Sequence, residues 1–184
     1  MPVKLAAFIP AKSNSKRLEN KNYKYFFGKP IIEWVKNEVK KSEMFNEFLI
    51  SKDINRPKAL CEDGVTVEDV LSYHIEKGDI KADYICVIYP CAYAVTAEHL
   101  INSFLKMRDA GIDYCYSYGM LNGDYEMDAG GFYWCKTNAF LRDNIFLHKD
   151  ALCYELPMID INTFEDFLGA KLDVCYNHRE RFLK

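Results

Sequence analysis

Two apolar patterns alternate along the chain. One is a short continuous apolar run, and the other is a series of apolar residues at helical spacing. Six apolar runs predict strands, at residues 4–9, 46–51, 83–89, 113–118, 130–135 and 151–156. Between them, apolar residues recur every three or four positions, which predicts helices at 29–43, 66–78, 96–111 and 163–172. Typical N-terminal signals stand at the helix starts, namely Pro30, Thr66, Thr96 and Thr163.

The order of these elements predicts one domain over residues 1–184, an α/β sandwich around a mainly parallel mixed sheet. In such sheets, ligands bind beyond the carboxyl ends of the strands. Connecting segments are therefore expected at the ligand edge, namely 10–28, 51–65, 90–95, 119–129 and 157–162.

Composition narrows the class of protein. A net charge of −3 argues against a nucleic-acid-binding protein, which needs a broadly basic face. No apolar run approaches the ~18 residues of a membrane span and the first residues lack the layout of a signal peptide, so no membrane partner is expected. Seven scattered cysteines without a C-x-x-C pair predict reduced thiols in the cytoplasm.

The segment IPAKSNSKRLENKN, residues 9–22, is unusually basic for a slightly acidic chain. It carries Lys12, Lys16, Arg17 and Lys21 just after the first predicted strand. Ammonium groups, hydroxyls and backbone N–H groups at a ligand edge suit a polyphosphate, although a solvated surface loop explains the composition equally well. Neither the G-x-x-x-x-G-K-[ST] nor the G-x-G-x-x-G phosphate motif is present.

This segment resembles the opening signature of the acylneuraminate cytidylyltransferases, roughly I-P-A-R-x-x-S-K followed by K-N and G-K-P. Later blocks follow in the family's order: FFGKPII, FLISKD, RPKALCEDGVTVEDVLSYHI, VIYPCAYAVTAEHL and PMIDINTFEDF. The stretch MDAGGFYWCKTNAFL is most similar to the pseudaminic acid branch. The resemblance implies a Rossmann-like nucleotidyltransferase sandwich that joins CTP to a small acidic nine-carbon sugar and releases pyrophosphate, with Mg²⁺ as cofactor.

The resemblance also implies roles for individual residues. Lys12 and Lys21 would neutralise charge at the α-phosphate and the leaving pyrophosphate. The remaining nucleotide-binding positions would be Ser13, Asn14, Ser15 and Lys16 around the β- and γ-phosphates, Asn22 at the cytosine, and Arg56. The metal would be held by Asp160 and Asn162. The sugar side would be lined by Asp128, Gly130 and Phe132.

Simpler roles compete with several of these assignments. Asp160 lies just before a predicted helix, where a carboxylate also favours the helix dipole. Asp128 stands ahead of two glycines and fits a turn, and Arg56 before a proline fits a surface turn. Tyr133 and Trp134 lie in an apolar strand and fit the core better than a substrate platform.

Three departures from the family pattern affect the expected chemistry. Lys12 replaces the family's arginine and lacks its bidentate fork. Asn162 replaces the second aspartate of D-x-D, which removes a charge from the metal site. The chain also lacks family segments after Asp53 and between Tyr118 and Asp128. The second of these supplies substrate contacts and a dimerisation arm, so the family's usual homodimer is left open.

Two other functions stay open on this sequence. A degenerate homologue would bind nucleotide or a partner without turnover, and Asn162 and the missing segments favour it. A nucleotide-sugar glycosyltransferase would share a similar sheet, although the basic opening loop is less expected there.

Overall fold

A six-stranded sheet forms the centre of the computed structural model, which describes residues 2–13, 15–121 and 125–183. The strands are β1 (Leu5–Pro10), β2 (Tyr25–Phe26), β3 (Lys29–Pro30), β4 (Glu47–Ser51), β5 (Tyr84–Ile88), β6 (Tyr114–Leu121), β7 (Tyr125–Lys136) and β8 (Leu152–Glu155). The helices are α1 (Ile31–Ser42), α2 (Val67–Glu76), α3 (Ala97–Asp109), α4 (Thr137–Asp143), α5 (Phe164–Asn177) and α6 (Arg179–Phe182). Short 3₁₀ turns lie at Lys21–Tyr23, Asp53–Asn55 and Lys58–Cys61.

The predicted strands and helices are all confirmed, with their ends shifted. The sequence pattern did not predict the small ladder of β2 and β3, nor helices α4 and α6. These elements are too short to show a period, and α4 begins directly after β7 without a side-chain cap. Within the described ranges, no helix combines the length and apolarity needed to cross a lipid bilayer.

The main sheet is mixed, with a single antiparallel strand among its six. Its order is β4-β1-β5-β7-β6-β8. β1 pairs in parallel with β4 and β5, and β6 pairs in parallel with β8. β7 lies between β5 and β6 and is antiparallel to both. The prediction of a mainly parallel mixed α/β sheet is therefore confirmed.

The direction of β7 brings its earlier residues to the ligand edge. Ile88, the last residue of β5, pairs with Phe132 of β7. Just beyond, Tyr89 donates its backbone N–H to the carbonyl of Gly131 over 3.0 Å. Since β7 runs opposite to β5, the residues before Phe132, including Asp128, lie past the carboxyl end of β5.

Alternate residues of each strand enter two cores on opposite faces of the sheet. In β1, Leu5, Ala7 and Ile9 pack with apolar residues of α1, α3 and α5. Ala6 and Phe8 pack with those of α2 and α4. Because helices cover both faces, the strand is a continuous apolar run and not an alternating one.

A Ser–His–Asp chain fastens helix α2 to the end of β4. Ser51 Oγ lies 2.8 Å from His74 Nε2, and His74 Nδ1 lies 2.8 Å from Asp79 Oδ2. Ser51 and His74 are both fully buried, so the Ser51 hydroxyl is closed to any substrate, whereas Asp79 is exposed. The backbone carbonyl of Ser51 accepts the N–H of Ala11 over 2.8 Å, which fixes the start of the basic loop.

Phe132 is a core residue, which corrects its predicted place on the sugar side. Its ring is fully buried on the face covered by α1, α3 and α5, with its centroid 5.8 Å from that of Tyr154. Tyr133, the next residue, enters the opposite core, and Trp134 returns to the first. The ring of Phe132 therefore contributes to stability and not to substrate contact.

Phe132→Ala should lower the free energy of unfolding by about 3–5 kcal/mol, because it leaves a cavity in a packed core. Chemical denaturation measures this change. Phe164→Ala, at a side chain that is 51% exposed, is the control and should change stability by less than about 0.5 kcal/mol. Similar values for the two variants would contradict the assignment of Phe132 to the core.

Candidate active site

A cavity of about 250 Å³ lies at the carboxyl edge of the sheet, beyond the ends of β1 and β5. Its polar lining comes from Arg17, Lys21, Asn22, Tyr89, Asp160 and Asn162, with Gly130 at one wall. It is slightly smaller than most ligand pockets, which span ~300–1,000 Å³. A larger hollow of about 690 Å³, beside Glu38 and Arg181, contains none of the predicted site residues.

Two cations converge on one amide oxygen in this cavity. Arg17 donates to Asn162 Oδ1 over 3.1 Å, and Lys21 Nζ donates to the same oxygen over 3.4 Å. Lys21 also donates to the carbonyl of Ile161 over 2.7 Å. The Asn162 amide then donates to Asp160 Oδ2 over 2.6 Å. Asp160 is the only carboxylate among the described residues that line the cavity, so two positive charges face one negative charge and an anionic ligand would balance them.

The segment that carries Asp160 and Asn162 is held from both sides. Ile161 between them is fully buried in the core. Asp166, at the third position of helix α5, accepts the backbone N–H groups of Asn162 and Thr163 over 2.9 and 2.7 Å. Thr163 completes a capping box with Asp166. The polar side chains at 160 and 162 are therefore presented by a fixed backbone.

Gly130 allows β7 to pass directly over Asp160. Its φ is +62°, in the region that favours glycine. A Cβ at this position would lie 2.9 Å from Asp160 Cγ, closer than real Cβ atoms approach. Gly130 therefore belongs to the site through its backbone, as a residue without a side chain between Asp160 and the strand.

Asp128 is fixed at the same edge by two hydrogen bonds. Its Oδ1 accepts the backbone N–H of Gly130 over 2.9 Å, and its Oδ2 accepts the Tyr133 hydroxyl over 2.6 Å. Tyr133 in turn packs against Tyr89, with 5.2 Å between ring centroids. Asp128 itself is exposed. It contacts Tyr133, which packs against Tyr89 in the cavity wall.

Asn22 and Cys91 form a buried polar wall. Asn22 Nδ2 donates to the carbonyl of Lys12 over 2.7 Å, and the Cys91 thiol donates to Asn22 Oδ1 over 3.6 Å. The amide predicted to meet the cytosine thus supports the basic loop in this structure. Burial raises the pKa of Cys91 to about 12, so its thiol stays protonated and is a poor nucleophile.

The basic loop lies against carboxylates of the segment from Asp53 to Asp63. Lys12 Nζ donates to the carbonyl of Glu62 over 3.3 Å and lies 3.8 Å from Asp63 Oδ1, and Lys16 forms an ion pair with Asp63. The hydrogen bond from Lys16 lowers the pKa of Asp63. The predicted phosphate cradle is thus occupied by a carboxylate of the same chain. Ser15 is half-buried, and Asn14 lies outside the described residues.

Arg56 supports this loop from beneath and does not reach the cavity. Ser13 donates its backbone N–H to Asp53 Oδ2 over 2.9 Å, and Arg56 donates to Asp53 Oδ1 over 2.9 Å. Burial opposes ionisation of Asp53, but the hydrogen bonds from Ser13 and Arg56 hold its pKa below the ordinary value. The side chain of Arg56 is only 3% exposed and is not part of the cavity lining.

Of the two predicted metal ligands, the Asp160 carboxylate fits a metal ion and the Asn162 amide does not. Asp160 suits a Mg²⁺ ion that takes its other ligands from substrate phosphates and water. Asn162 does not fit, because its oxygen already accepts from Arg17 and Lys21, and a flipped amide would turn its NH₂ group toward two cations. No cluster of three or more His, Cys, Asp or Glu that could hold a metal occurs in the described residues.

The structure therefore divides the predicted site residues into two groups. The cavity brings together Lys21, Asn22, Gly130, Asp160 and Asn162. The loop group comprises Lys12, Ser13 and Lys16. The sequence reasoning missed Arg17 and Tyr89 as cavity residues and Asp53 and Asp63 as partners of the loop. Arg17 carried a signal, its charge within the basic segment, whereas the others depend on contacts between distant parts of the chain.

Known cytidylyltransferase sequences are similar to this chain. A family profile described as Cytidylyltransferase matches residues 6–83. A bifunctional Helicobacter pylori protein, the pseudaminic acid cytidylyltransferase and UDP-2,4-diacetamido-2,4,6-trideoxy-beta-L-altropyranose hydrolase, is 26% identical over 207 residues. That match covers 88% of this chain and 40% of the Helicobacter protein, so the chain spans less than half of that relative. The pseudaminic acid cytidylyltransferase of Campylobacter jejuni is 24% identical, over 98% of this chain and 100% of that protein.

Solved structures show the same fold. CMP:2-keto-3-deoxy-manno-octonic acid synthetase complexed with CTP superposes with a TM-score of 0.71 at 12% identity, covering 94% of this chain and 99% of the other. The 4-diphosphocytidyl-2C-methyl-D-erythritol synthase of Anaerococcus prevotii gives a TM-score of 0.63 at 10% identity, with coverage of 94% and 99%. The predicted nucleotidyltransferase-like sandwich is thereby confirmed as the fold.

Asp63→Asn should strengthen binding of a polyphosphate, because it frees Lys12 and Lys16 from their internal partner. An exposed ion pair of this kind is weak, so we expect inorganic tripolyphosphate to bind about two- to fivefold more tightly, measured by titration calorimetry. Asp150→Asn removes an equally exposed charge outside the loop and should leave the affinity unchanged. Weaker binding to the Asp63 variant would show that this carboxylate supports the loop and does not compete with its ligand.

Proposed function

We propose that this chain is a cytidylyltransferase that transfers CMP from CTP to an acidic nine-carbon sugar of the pseudaminic or sialic acid type, releasing pyrophosphate. The observation that carries the proposal is the convergence of Lys21 and Arg17 on the Asp160–Asn162 segment inside a cavity at the ligand edge. The match to a pseudaminic acid cytidylyltransferase over 98% of the chain supports the acceptor class.

Phosphoryl transfer of this kind needs positioning and charge neutralisation more than covalent chemistry. Lys21 and Arg17 stabilise negative charge at the α-phosphate and on the leaving pyrophosphate. Lys12 and Lys16 exchange Asp63 for the β- and γ-phosphates, while Ser13 remains anchored to Asp53. The loop thus keeps its backbone shape while its ammonium groups change partner.

The other polar residues orient the two substrates. Asn22, in the wall of the cavity, binds the nucleotide, and Ser15 of the basic loop adds a hydroxyl for its phosphates. Asp128 and Gly130 border the side left for the sugar. Asp160 would hold Mg²⁺, which when bound neutralises charge on the phosphate oxygens. We propose that the reaction takes place in the cytoplasm, in line with seven scattered cysteines that form no C-x-x-C pair.

A degenerate homologue that binds nucleotide without turnover is the second candidate. Asn162 favours it, since this residue binds two cations and adds no charge to the metal site. The two candidates differ in turnover and agree in nucleotide binding, so both quantities need to be measured.

The unaltered protein with CTP, Mg²⁺ and a panel of acidic sugars that includes pseudaminic acid should release pyrophosphate. Lys21→Ala and Asp160→Ala should each lower kcat by about 10²–10³-fold, because each removes charge stabilisation at the reacting phosphate. Lys149→Ala, at an exposed lysine away from the site, should leave kcat unchanged.

Binding is followed separately by thermal denaturation. CTP at 100 times its Kd should raise Tm by about 5–10 °C. A rise in Tm without turnover on any sugar would favour the degenerate homologue. The absence of both effects would contradict nucleotide binding itself.

Arg17→Gln should weaken inhibition by pyrophosphate about 10- to 100-fold, because a charge-assisted hydrogen bond to the leaving group is lost. Arg17→Lys keeps the charge without the planar fork and should show a smaller loss. The exposed Arg179→Gln is the matched control. An unchanged inhibition constant for Arg17→Gln would limit this residue to holding Asn162.

A further inference from the structure

A buried tyrosine hydroxyl connects two walls of the cavity. The segment after β5 forms one wall with residues 89–91, and the segment before α5 forms another with Asp160 and Asn162. Tyr93 follows the first wall in the chain, and its hydroxyl oxygen accepts the backbone N–H of Ile159, next to Asp160, over 3.1 Å. This hydrogen bond therefore holds the second wall at a set distance from the first.

Tyr93 is fixed to the first wall by short backbone hydrogen bonds. Its N–H donates to the carbonyl of Cys91 over 2.7 Å, and the N–H of Ala92 donates to the carbonyl of Tyr89 over 3.0 Å. The Tyr93 ring is fully buried and packs against Phe26, with 5.6 Å between the ring centroids. The hydroxyl thus has a fixed place relative to the residues that line the cavity.

Asp173 of helix α5 sets the direction of this hydroxyl. The Tyr93 hydroxyl donates to Asp173 Oδ2 over 2.6 Å, and Asn177 donates to Asp173 Oδ1 over 2.7 Å. A phenol carries one proton, so the Tyr93 oxygen is left to accept from Ile159. A hydrogen bond to a carboxylate is strong and polarises the phenol, which makes its oxygen a better acceptor. The hydroxyl is therefore a specific link between α5, the first wall and the second.

The cations of the cavity also contact the second wall, but a ligand competes for them. Lys21 donates to the carbonyl of Ile161, and Lys21 and Arg17 both donate to Asn162 Oδ1. Under the proposed function, these cations exchange partners for phosphate oxygens. Tyr93 is fully buried and is not part of the cavity lining, so a ligand does not reach its hydroxyl. Its bond to the second wall is kept when the cations turn to the ligand.

Resting on the proposed function, we propose that Tyr93 is a positioning residue that aligns the phosphate subsite with the nucleoside subsite. Asp160 lies on the phosphate side. Asn22 lies on the nucleoside side and is joined to the first wall by the Cys91 thiol, which donates to Asn22 Oδ1 over 3.6 Å. CTP spans both sides, so its binding requires the correct distance between them. Cytidine and pyrophosphate each occupy one side and do not depend on that distance.

Tyr93→Phe tests this role, because it keeps the ring and removes the hydroxyl. We expect the Kd of CTP to rise about 5- to 20-fold, as for the loss of a buried hydrogen bond, with the Kd of cytidine and of inorganic pyrophosphate within about twofold. Titration calorimetry measures all three. Tyr114→Phe is the matched control, because it removes another buried tyrosine hydroxyl that donates to a carboxylate, Asp143 Oδ2 over 2.8 Å, away from the cavity lining. It should leave all three values unchanged.

Asp173→Ala provides a second test at a residue outside the cavity lining. Without this acceptor the Tyr93 hydroxyl is free to rotate, so the Kd of CTP should rise again while the two fragments bind as before. Asp173→Asn keeps an acceptor oxygen and should restore the Kd of CTP to within about twofold. A merely structural role would change stability in chemical denaturation without separating CTP from its fragments.

The positioning role is overturned if Tyr93→Phe binds CTP as tightly as the unaltered protein, or if Tyr114→Phe loses as much affinity. It is also overturned if cytidine and pyrophosphate lose as much affinity as CTP. Each of these results leaves the proposed function standing. If the unaltered protein binds CTP no more tightly than cytidine, the proposed function itself fails and the positioning role with it.

Discussion

The antiparallel pairing of β7 with β5 is the constraint on which the candidate site depends. Five strands of the main sheet run in one direction and present their carboxyl ends at one edge. β7 reverses this direction, so its earlier residues reach the same edge and meet the loop that follows β5. Gly130 can then lie against Asp160 with no side chain between them. In a fully parallel sheet, Asp128 would lie at the opposite edge.

The candidate site also depends on contact between an early and a late segment of the chain. Lys21 follows the first strand and Asp160 precedes the last long helix, yet the Lys21 ammonium group contacts the backbone of Ile161. That segment is fixed by a buried isoleucine on one side and by the cap of α5 on the other. The cavity therefore sets long cationic side chains against a backbone that packing and capping hold in place.

Much of the fold could be predicted from the sequence, because apolar runs and capping residues act locally. It could not be predicted which residues of β7 face which core. The stretch Ala-Gly-Gly-Phe-Tyr-Trp-Cys is apolar on both sides, so it has no apolar–polar alternation to mark a face. The family resemblance implied a place at the sugar side for Phe132, whereas its side chain lies in the core.

The candidate site was predictable to a similar, partial extent. Family resemblance placed Lys21, Asp160 and Gly130 at the site, and the structure brings them to one cavity. The contact of Arg17 with Asn162 joins residues 145 positions apart, and the ion pairs of Asp63 join separate loops. Neither is encoded in a local pattern, since only the tertiary fold sets those distances.

The internal ion pairs of the basic loop have a consequence for selectivity. Lys12 and Lys16 carry their own counter-ion in Asp63, so binding a phosphate there is an ion exchange within the protein and releases few salt ions. The loop therefore presents less net potential to passing polyanions than its four cations alone would give, and this weakens long-range attraction of nucleic acid. A ligand must therefore displace Asp63 and match the loop's geometry at contact distance, because part of the loop's charge is already paired.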